Sequence, residues 1–393
     1  MKVNIAVCGK FHYFNYIKYL CNSKEINLNR FYYSHKLNSN KILSSNDNDY
    51  IKFNNIWFKE YLLRFISIIL QAETAIMVYP LLHNAWENSV VSKWSKCDLL
   101  HLMLHGTSLK IIQKAKSQSS LVIGEAVNSH PSCLHRILNE EYIRLGLGTR
   151  PQLSIPEYKM LNEMTLCDYI LVPSEFVRQS YIKEGFDVQK VVKIPFGVNT
   201  NKFFPSQSQA ISDKDVFRVL CVASVSPRKG QIDLLNAWKS LKLPNSELLL
   251  IGSVSKVMRK VLASFEGTFR HISNVPHSQI REYYDKSSVF VLPSLEEGLA
   301  LVIGEAMSCG LPVIATENTG ASELIEHGKE GFIVPIRSPQ IIAEYIEKLY
   351  IDRNLLHQMS NAAAKKSTSF LGWDKYASQL SDFYLSIYKE KGL

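Results

Sequence analysis

Two glutamates separated by seven residues are the strongest chemical signal in this sequence. Glu297 falls in a loop after the short apolar run 288–292, and Glu305 falls in the predicted helix 300–309. A second apolar run, 312–315, completes a strand–helix–strand unit. In sheets of parallel strands, ligands bind at the carboxyl ends of the strands, where the following helix begins. Both carboxylates are therefore predicted to lie at a binding site.

The start of the same predicted helix adds a second kind of binding group. The backbone N–H groups of Leu299, Ala300 and Leu301 are predicted to be free, and such groups at a helix N-terminus suit a phosphate. Carboxylates accept hydrogen bonds from sugar or ribose hydroxyls. The combination fits a ligand that carries both phosphate and hydroxyls, as a nucleotide sugar does. For Glu305 alone the alternative stays open that the helix dipole explains its position.

Residues 293–306 resemble the signature of glycosyltransferase family 4, whose members are retaining enzymes with the GT-B fold. The family pattern is Pro-Ser-x-x-Glu-Gly-x-Gly-x-x-x-x-Glu-Ala, and this sequence follows it through Gly298 and departs from it at Ala300, where the family usually has glycine. The resemblance implies that Glu297 faces the donor sugar and that Glu305 binds the ribose hydroxyls.

A second predicted phosphate site lies near the start of the second half of the chain. Arg228 and Lys229 precede a predicted helix, 231–240, and two cations beside a helix N-terminus suit a diphosphate. A solvated turn is the alternative. The family version reads Gly-Arg-Leu-x-x-x-Lys-Gly, in which Lys229 matches the lysine and Ser224 stands where the arginine is usual. Either Arg228 takes over from the arginine, or the diphosphate is held less tightly.

A histidine in the first half of the chain is a further candidate. His130 follows the predicted strand 121–124 and precedes Pro131, so it is expected at the carboxyl edge of a sheet, with a structural role as the alternative. The resemblance implies a histidine near the donor sugar at the end of this strand. His130 is the matching residue, and His101 and His105 are weaker candidates.

Three more positions are candidates through the resemblance. The family's first loop lies against donor and acceptor, which makes Gly9 and Phe11 site candidates, and backbone near Val275 is implied to meet the base. The first loop has no complete Gly-x-Gly-x-x-Gly, so a dinucleotide cofactor is not supported. No cofactor and no metal are expected, with the nucleotide sugar as co-substrate.

Alternating predicted strands and helices indicate an α/β protein. We expect the GT-B arrangement of two Rossmann-like doubly wound parallel-sheet domains that face an interdomain cleft. The predicted divisions are an acceptor domain at 1–205, a nucleotide-sugar donor domain at 206–369, and a helix at 370–393 that returns to the first domain. The polar stretch 206–215 is the predicted linker.

Composition agrees with a folded enzyme that has two cores. The chain has 393 residues, of which 46% are hydrophobic and 21% are charged. Its seven cysteines include no close Cys-x-x-Cys pair, which favours buried thiols over disulfides or a zinc site. The N-terminus is typical of a first strand rather than a signal peptide, so a cytoplasmic enzyme is expected.

The net charge of +9 is concentrated in the first half, where residues 1–200 hold 23 Lys and Arg against 16 Asp and Glu. This asymmetry favours an acidic acceptor or an anionic membrane surface, with ordinary solvated charge as the alternative. Residues 56–82 are strongly apolar but interrupted by charges. They predict a core helix, with peripheral membrane docking as the alternative. Asp47-Asn48-Asp49 is interpreted as a solvated turn, not a metal motif, and no nucleic-acid motif is present.

The expected activity is that of a retaining, metal-independent hexosyltransferase. The donor is a nucleoside diphosphate sugar, with UDP favoured over GDP, and the acceptor is a glycan or lipid-linked hydroxyl in bacterial surface polysaccharide or glycolipid assembly. Lys229 and Arg228 would stabilise the leaving diphosphate, while Glu297 and His130 orient the sugar. The alternatives are an epimerase or phosphorylase of the same fold, or a catalytically silent binding subunit.

Overall fold

The computed structural model describes residues 1–9, 11–35, 52–58, 62, 72–150, 153–199, 202–205, 216–370 and 372–392. The predicted linker 206–215, the turn at Asp47-Asn48-Asp49 and much of the apolar stretch 56–82 lie outside these residues. The predictions made for those segments therefore stay predictions.

The first sheet has seven parallel strands in the order β3-β2-β1-β4-β5-β6-β7. Ile5 in the central strand β1 lies opposite Phe31 of β2 on one side and His101 of β4 on the other. The strands are β1 (Lys2–Val7), β2 (Asn27–Tyr33), β3 (Lys52–Asn55), β4 (Leu99–Met103), β5 (Leu121–Glu125), β6 (Tyr169–Val172) and β7 (Val191–Lys193). Strands β4 and β5 are buried along their whole length, as expected for apolar runs covered on both faces.

The second sheet has six parallel strands in the order β10-β9-β8-β11-β12-β13. In both sheets the strand order reverses direction next to the first strand of the domain, which creates a crevice at the carboxyl edge. The strands are β8 (Phe217–Val222), β9 (Ser246–Ile251), β10 (Arg270–Ile272), β11 (Val289–Leu292), β12 (Val313–Thr316) and β13 (Gly331–Val334).

Thirteen α-helices of the described residues accompany the two sheets. They are α1 (Tyr13–Leu20), α2 (Ala72–Ser92), α3 (Leu109–Lys116), α4 (Pro131–Arg144), α5 (Ile155–Leu166), α6 (Glu175–Lys183), α7 (Gln231–Ser240), α8 (Lys256–Leu262), α9 (Arg281–Asp285), α10 (Leu301–Ser308), α11 (Pro339–Ile351), α12 (Arg353–Phe370) and α13 (Trp373–Glu390). Several begin at residues that favour helix starts. Ser154 and Glu157, for example, form a capping box at the start of α5.

The last helix packs on the first domain. Helix α13 contacts α1, and its Tyr376 and Tyr384 are fully buried. The Tyr376 hydroxyl donates to Glu125 at the end of β5 at 2.8 Å. Just before α13, Gly372 forms an isolated β-bridge with Val198. The chain therefore returns from the second domain beside the end of the first domain.

Two further sequence predictions concern the whole chain. None of the seven cysteines, all of which are described residues, forms a disulfide, and Cys97, Cys133 and Cys221 are buried thiols. Among the described residues, no helix combines the length and apolar character needed to cross a membrane.

Candidate active site

The loop between β11 and α10 is fixed to two neighbouring loops at the carboxyl edge of the second sheet. The Leu295 N–H donates to the carbonyl of Arg228 at 2.8 Å, and the Glu297 N–H donates to the carbonyl of Asn318 at 2.9 Å. The loop side chains are buried, including Glu296 and Glu297. Carboxylates so enclosed need cationic partners, because a buried unpaired charge is very costly.

Those partners are Arg228 and Lys229, and we call Arg228, Lys229, Glu296 and Glu297 the clamp cluster. Arg228 Nη1 lies 3.1 Å from Glu296 Oε2 and 3.1 Å from Glu297 Oε2. Lys229 Nζ pairs with the other oxygen of Glu297. The cluster thus brings together three residues predicted from the sequence to lie at the site, Glu297, Arg228 and Lys229, and it holds two cations side by side.

The electrostatics of the clamp cluster keep its guanidinium charged. Burial lowers the pKa of Arg228, but the nearby carboxylates of Glu297 and Glu296 more than offset it, so the pKa lies above its ordinary value. Burial raises the pKa of Glu296, and the charge of Glu297 adds to that rise, while Arg228 acts in the opposite direction. An anion that approaches the two cations would therefore share them with these carboxylates.

The same loop touches the first domain. The Ser129 N–H and hydroxyl donate to Glu296 Oε1 at 2.8 and 2.9 Å, and the Ser174 hydroxyl donates to the carbonyl of Gly298 at 2.6 Å. A Cβ atom on Gly298 would lie 1.7 Å from the carbonyl oxygen of Val127. Glycine at this position therefore allows the two domains to meet backbone to backbone.

A cavity of about 720 Å³ opens at the carboxyl edge of the second sheet, and we call it the second-domain cavity. Ser224, Val275 and Glu305, all nominated from the sequence, line it. The Tyr284 hydroxyl donates to Glu305 Oε2 at 3.2 Å, and His277 Nε2 lies 3.1 Å from Oε1. Burial and the charge of Glu305 raise the pKa of Tyr284 well above its ordinary value, so its hydroxyl remains a donor.

A second cavity, of about 510 Å³, lies at the carboxyl edge of the first sheet, and we call it the first-domain cavity. Its walls are mostly apolar, and their polar members include His105, Arg150 and Glu157. Arg150 Nη2 lies 3.0 Å from Glu157 Oε1. Val127 and Ser129 line this cavity and also contact the loop 296–298, so the cavity adjoins the clamp cluster.

His130, the main histidine candidate, lies at the start of α4. The His130 ring accepts a hydrogen bond from the Ser132 N–H at the start of α4 and packs against Tyr181 and Phe186, and the residue is not among those that line either cavity. The imidazole therefore caps α4, and the predicted role of His130 near the donor sugar stays a prediction.

Two weaker histidine candidates have clearer placements. His105 lines the first-domain cavity, and its ring meets Phe11 edge to face at 5.9 Å. Gly9 lies directly beside the ring of Phe11. Both candidate residues of the first loop therefore lie at the carboxyl edge of the first sheet. His101 is buried, lies 3.4 Å from Glu125 and is not among the residues that line either cavity.

The prediction that the N–H groups at the start of α10 are free is wrong for Ala300. The Ala300 N–H donates to the carbonyl of Thr319 at 3.1 Å, because the loop after β12 packs against this turn. Leu299 and Ala300 are also buried, while Leu301 is half-buried. A phosphate therefore cannot use the Ala300 N–H without displacing that bond.

Sequence reasoning missed Glu296, Ser129 and a buried polar group in the first domain. His12 Nε2 lies 2.8 Å from Glu125 Oε1, which also accepts from Tyr376. The only signal for Glu296 was a second acidic residue inside an otherwise buried motif. Among the described residues, no group of three or more His, Cys, Asp or Glu side chains could hold a metal ion.

Solved structures resemble the whole chain. Sucrose-phosphate synthase from Thermosynechococcus elongatus matches with a TM-score of 0.69 and 17% identity, covering 98% of this chain and 99% of that one. The Anabaena protein HepE, solved in complex with UDP, matches with a TM-score of 0.66 and 16% identity, covering 98% and 100%. Together with the two parallel sheets, these matches confirm the predicted GT-B fold of two Rossmann-like domains.

Residues 204–366, which include the clamp cluster and the second-domain cavity, match the family described as glycosyl transferases group 1. The GDP-mannose-dependent alpha-(1-6)-phosphatidylinositol monomannoside mannosyltransferase of Mycobacterium tuberculosis is 28% identical over 236 residues, 55% of this chain and 61% of that protein. The D-inositol 3-phosphate glycosyltransferase of Streptomyces bingchenggensis is 25% identical over 276 residues, 64% of this chain and 60% of that protein. The chain thus matches about three fifths of the length of these relatives.

Proposed function

We propose that this chain transfers a hexosyl group from a nucleoside diphosphate sugar to an acceptor hydroxyl, with retention at the anomeric carbon. The observation that carries the proposal is the clamp cluster, in which Lys229 and Arg228 meet Glu297 beside the cavity that Glu305 lines. The match of residues 204–366 to group 1 glycosyl transferases supports the same class of reaction. The narrower membership in family 4 is part of the proposal.

The donor would span the second-domain cavity and the clamp cluster. Glu305, held by Tyr284 and His277, presents carboxylate oxygens to ribose hydroxyls, and backbone near Val275 meets the base. Ser224 lines the same cavity and begins the loop that carries Arg228 and Lys229. The diphosphate would therefore reach the two cations as it leaves the cavity.

Arg228, Lys229 and Glu297 of the clamp cluster would then supply the chemistry. Charge develops on the diphosphate as the glycosidic bond breaks, and fixed cations in a partly buried site stabilise that charge more than water does. Arg228 would take the place of the arginine that the family usually has at the position of Ser224. Glu297 would orient the sugar, and the two cations would let the reaction proceed without a metal.

The acceptor would enter the first-domain cavity. That cavity adjoins the clamp cluster through Ser129, and its apolar walls with a few polar groups suit a sugar ring or an amphiphile. A glycan or a lipid-linked glycan is the acceptor class we propose, on the cytoplasmic side and in peripheral contact with an anionic membrane when the acceptor is lipid-linked. His105, on the wall of this cavity, and His130, at the start of α4, are the histidines that we propose lie close to this reaction.

The test is turnover of candidate donors by wild type, Lys229→Gln and the exposed-lysine control Lys256→Gln. UDP- and GDP-linked hexoses are incubated with the protein, and free UDP or GDP is measured with and without a simple glycoside acceptor. We expect turnover of a UDP-hexose, a loss of about 100-fold in kcat for Lys229→Gln, and no change for Lys256→Gln.

Wild type that releases no nucleotide from any of these donors would contradict the proposal and favour a silent binding subunit. Phosphate-dependent cleavage of a glycoside without any nucleotide would instead indicate a phosphorylase. Turnover of GDP-hexoses alone would keep the transferase and reject UDP as the carrier.

A further inference from the structure

Glu296 is a buried carboxylate that the proposed reaction does not use. Its side chain is fully buried, although the residue stands directly before Glu297. One oxygen, Oε1, accepts both hydrogen bonds from Ser129 of the first domain, and the other, Oε2, lies 3.1 Å from Arg228 of the second domain. The side chain therefore connects the wall of the first-domain cavity with one of the two clamp cations.

We propose that Glu296 is a positioning residue that couples contact between the two domains to the placement of Arg228 against the donor diphosphate. The inference rests on the proposed function, because it needs a diphosphate for Arg228 to meet. Glu296 itself would touch neither donor nor acceptor.

The coupling follows from how the two carboxylate oxygens are shared. While Ser129 occupies Oε1 with two donors, only Oε2 is available to the guanidinium. When the domains separate, Ser129 leaves, and the strongest partner still near the carboxylate is Arg228, since charge-assisted paired hydrogen bonds to a guanidinium exceed those to water. Both oxygens then hold Arg228, which draws it away from the position where a phosphate would meet it.

Because Arg228 has other contacts, this change moves its guanidinium without releasing it from the clamp cluster. Its Nη1 also donates to the backbone carbonyl of Glu296 at 2.9 Å and to Glu297 Oε2 at 3.1 Å. These contacts do not depend on the first domain. Without the Glu296 charge, Arg228 stays in the clamp cluster but no longer responds to Ser129.

The matched control is a second carboxylate that joins the domains elsewhere. Glu323 accepts a hydrogen bond from the Glu175 N–H at 2.8 Å and pairs with Lys193 at 2.9 Å, both in the first domain, and it makes no hydrogen bond or ion pair with Arg228. A variant at Glu323 weakens contact between the domains without altering the clamp cluster.

The experiment measures kcat, donor KM and nucleoside diphosphate Kd for wild type, Glu296→Gln, Ser129→Ala, the double variant and Glu323→Gln. We expect kcat to fall about tenfold for Glu296→Gln and about fivefold for Ser129→Ala, because small misplacements of a catalytic group are costly. The nucleoside diphosphate Kd should rise several-fold in the same two variants, because the displaced Arg228 is one of the two cations that meet the diphosphate. In the double variant the Ser129→Ala effect disappears, as expected for residues that act through one another.

Two results would overturn the inference: wild-type kcat in Glu296→Gln, or additive effects of Glu296→Gln and Ser129→Ala in the double variant. Glu323→Gln measures how far kcat falls when contact between the domains is weakened but Glu296 and Ser129 are intact. If Glu296→Gln does not fold, the inference rests on Ser129→Ala, and an unchanged kcat there rejects it. Failure of the proposed function is seen separately, because wild type itself would then show no turnover.

Discussion

The Tyr284 hydroxyl donates a hydrogen bond to Glu305 Oε2 at 3.2 Å, which fixes the carboxylate that lines the second-domain cavity. The two side chains lie on α9 and α10, so the contact ties neighbouring helices at the proposed ribose site. The carboxylate is therefore held in one orientation before a ligand arrives.

Removal of the Tyr284 hydroxyl should weaken nucleotide binding while Glu305 stays in place. We expect Tyr284→Phe to raise the nucleotide Kd about fivefold, since one lost hydrogen bond is worth about 1 kcal/mol. Isothermal titration with UDP and GDP measures the change. The neighbouring Tyr283→Phe is the control, and an unchanged Kd for Tyr284→Phe would show that the contact does not organise the site.

A substitution at Gly298 tests whether the two domains must be in contact for sugar transfer. The Cβ of Gly298→Ala would lie 1.7 Å from the Val127 carbonyl oxygen, so the domains cannot approach as they do here. We expect kcat to fall about 100-fold, the scale of an approximately 1 Å misplacement. Nucleotide binding should persist, because the second-domain cavity is unaffected. If the variant has the kcat of wild type, this contact between the domains is not required for transfer.

A buried ion-pair group also joins the domains. Arg144 lies 2.8 Å from Asp233 and 2.7 Å from Glu141, and both carboxylates are fully buried. Arg144→Gln leaves Asp233 without its cation, and we expect a loss of about 2 kcal/mol in unfolding free energy. Denaturant titration measures this, with the exposed Arg136→Gln on the same helix as control. Equal stability of both variants would contradict the assignment.

The sequence predicted the two sheets because buried parallel strands form continuous apolar runs, as in 288–292 before the Glu297 loop. It also predicted Lys229 and Glu297 as site residues, each from its own local motif. Their pairing joins residues 68 positions apart and depends on how β8 and β11 lie side by side, which no local pattern contains.

The details that the sequence does not predict have equally physical causes. Ala300 was expected to have a free N–H, since helix starts leave such groups unpaired, but the loop after β12 supplies Thr319 as acceptor. The end of its strand predicts the position of His130, whereas the orientation of its ring depends on Tyr181 and Phe186, which follow it by about fifty residues. Contacts between distant parts of the chain, such as these, cannot be predicted from the local spacing of residues.

Glu125 gives a pH-dependent prediction. Burial raises its pKa, but His12 and His101 outweigh that effect and hold the pKa well below its ordinary value. The folded state therefore binds fewer protons than the unfolded state in acid. The stabilisation is present above the unfolded carboxyl pKa of about 4.3 and is lost as pH falls toward the folded value.

Glu125→Gln should remove that dependence. We expect the variant to lose about 2 kcal/mol of unfolding free energy at neutral pH, because His12 and Tyr376 lose their carboxylate partner. Below about pH 4.3 the difference from wild type should shrink. Denaturant titrations between these conditions measure it, and a difference that stays constant with pH would contradict the account.

The central claim is that the second-domain cavity binds the nucleotide of a sugar donor, and a thermal-shift panel tests it most directly. Wild type, Glu305→Ala and the exposed control Glu282→Ala are melted with UDP, GDP, ADP and their common sugar conjugates at about 1 mM, since a ligand of the folded state raises Tm by mass action. The account predicts that one nucleotide series, expected to be UDP, raises Tm for wild type and Glu282→Ala but not for Glu305→Ala. No shift with any nucleotide, or an equal shift in Glu305→Ala, would contradict it.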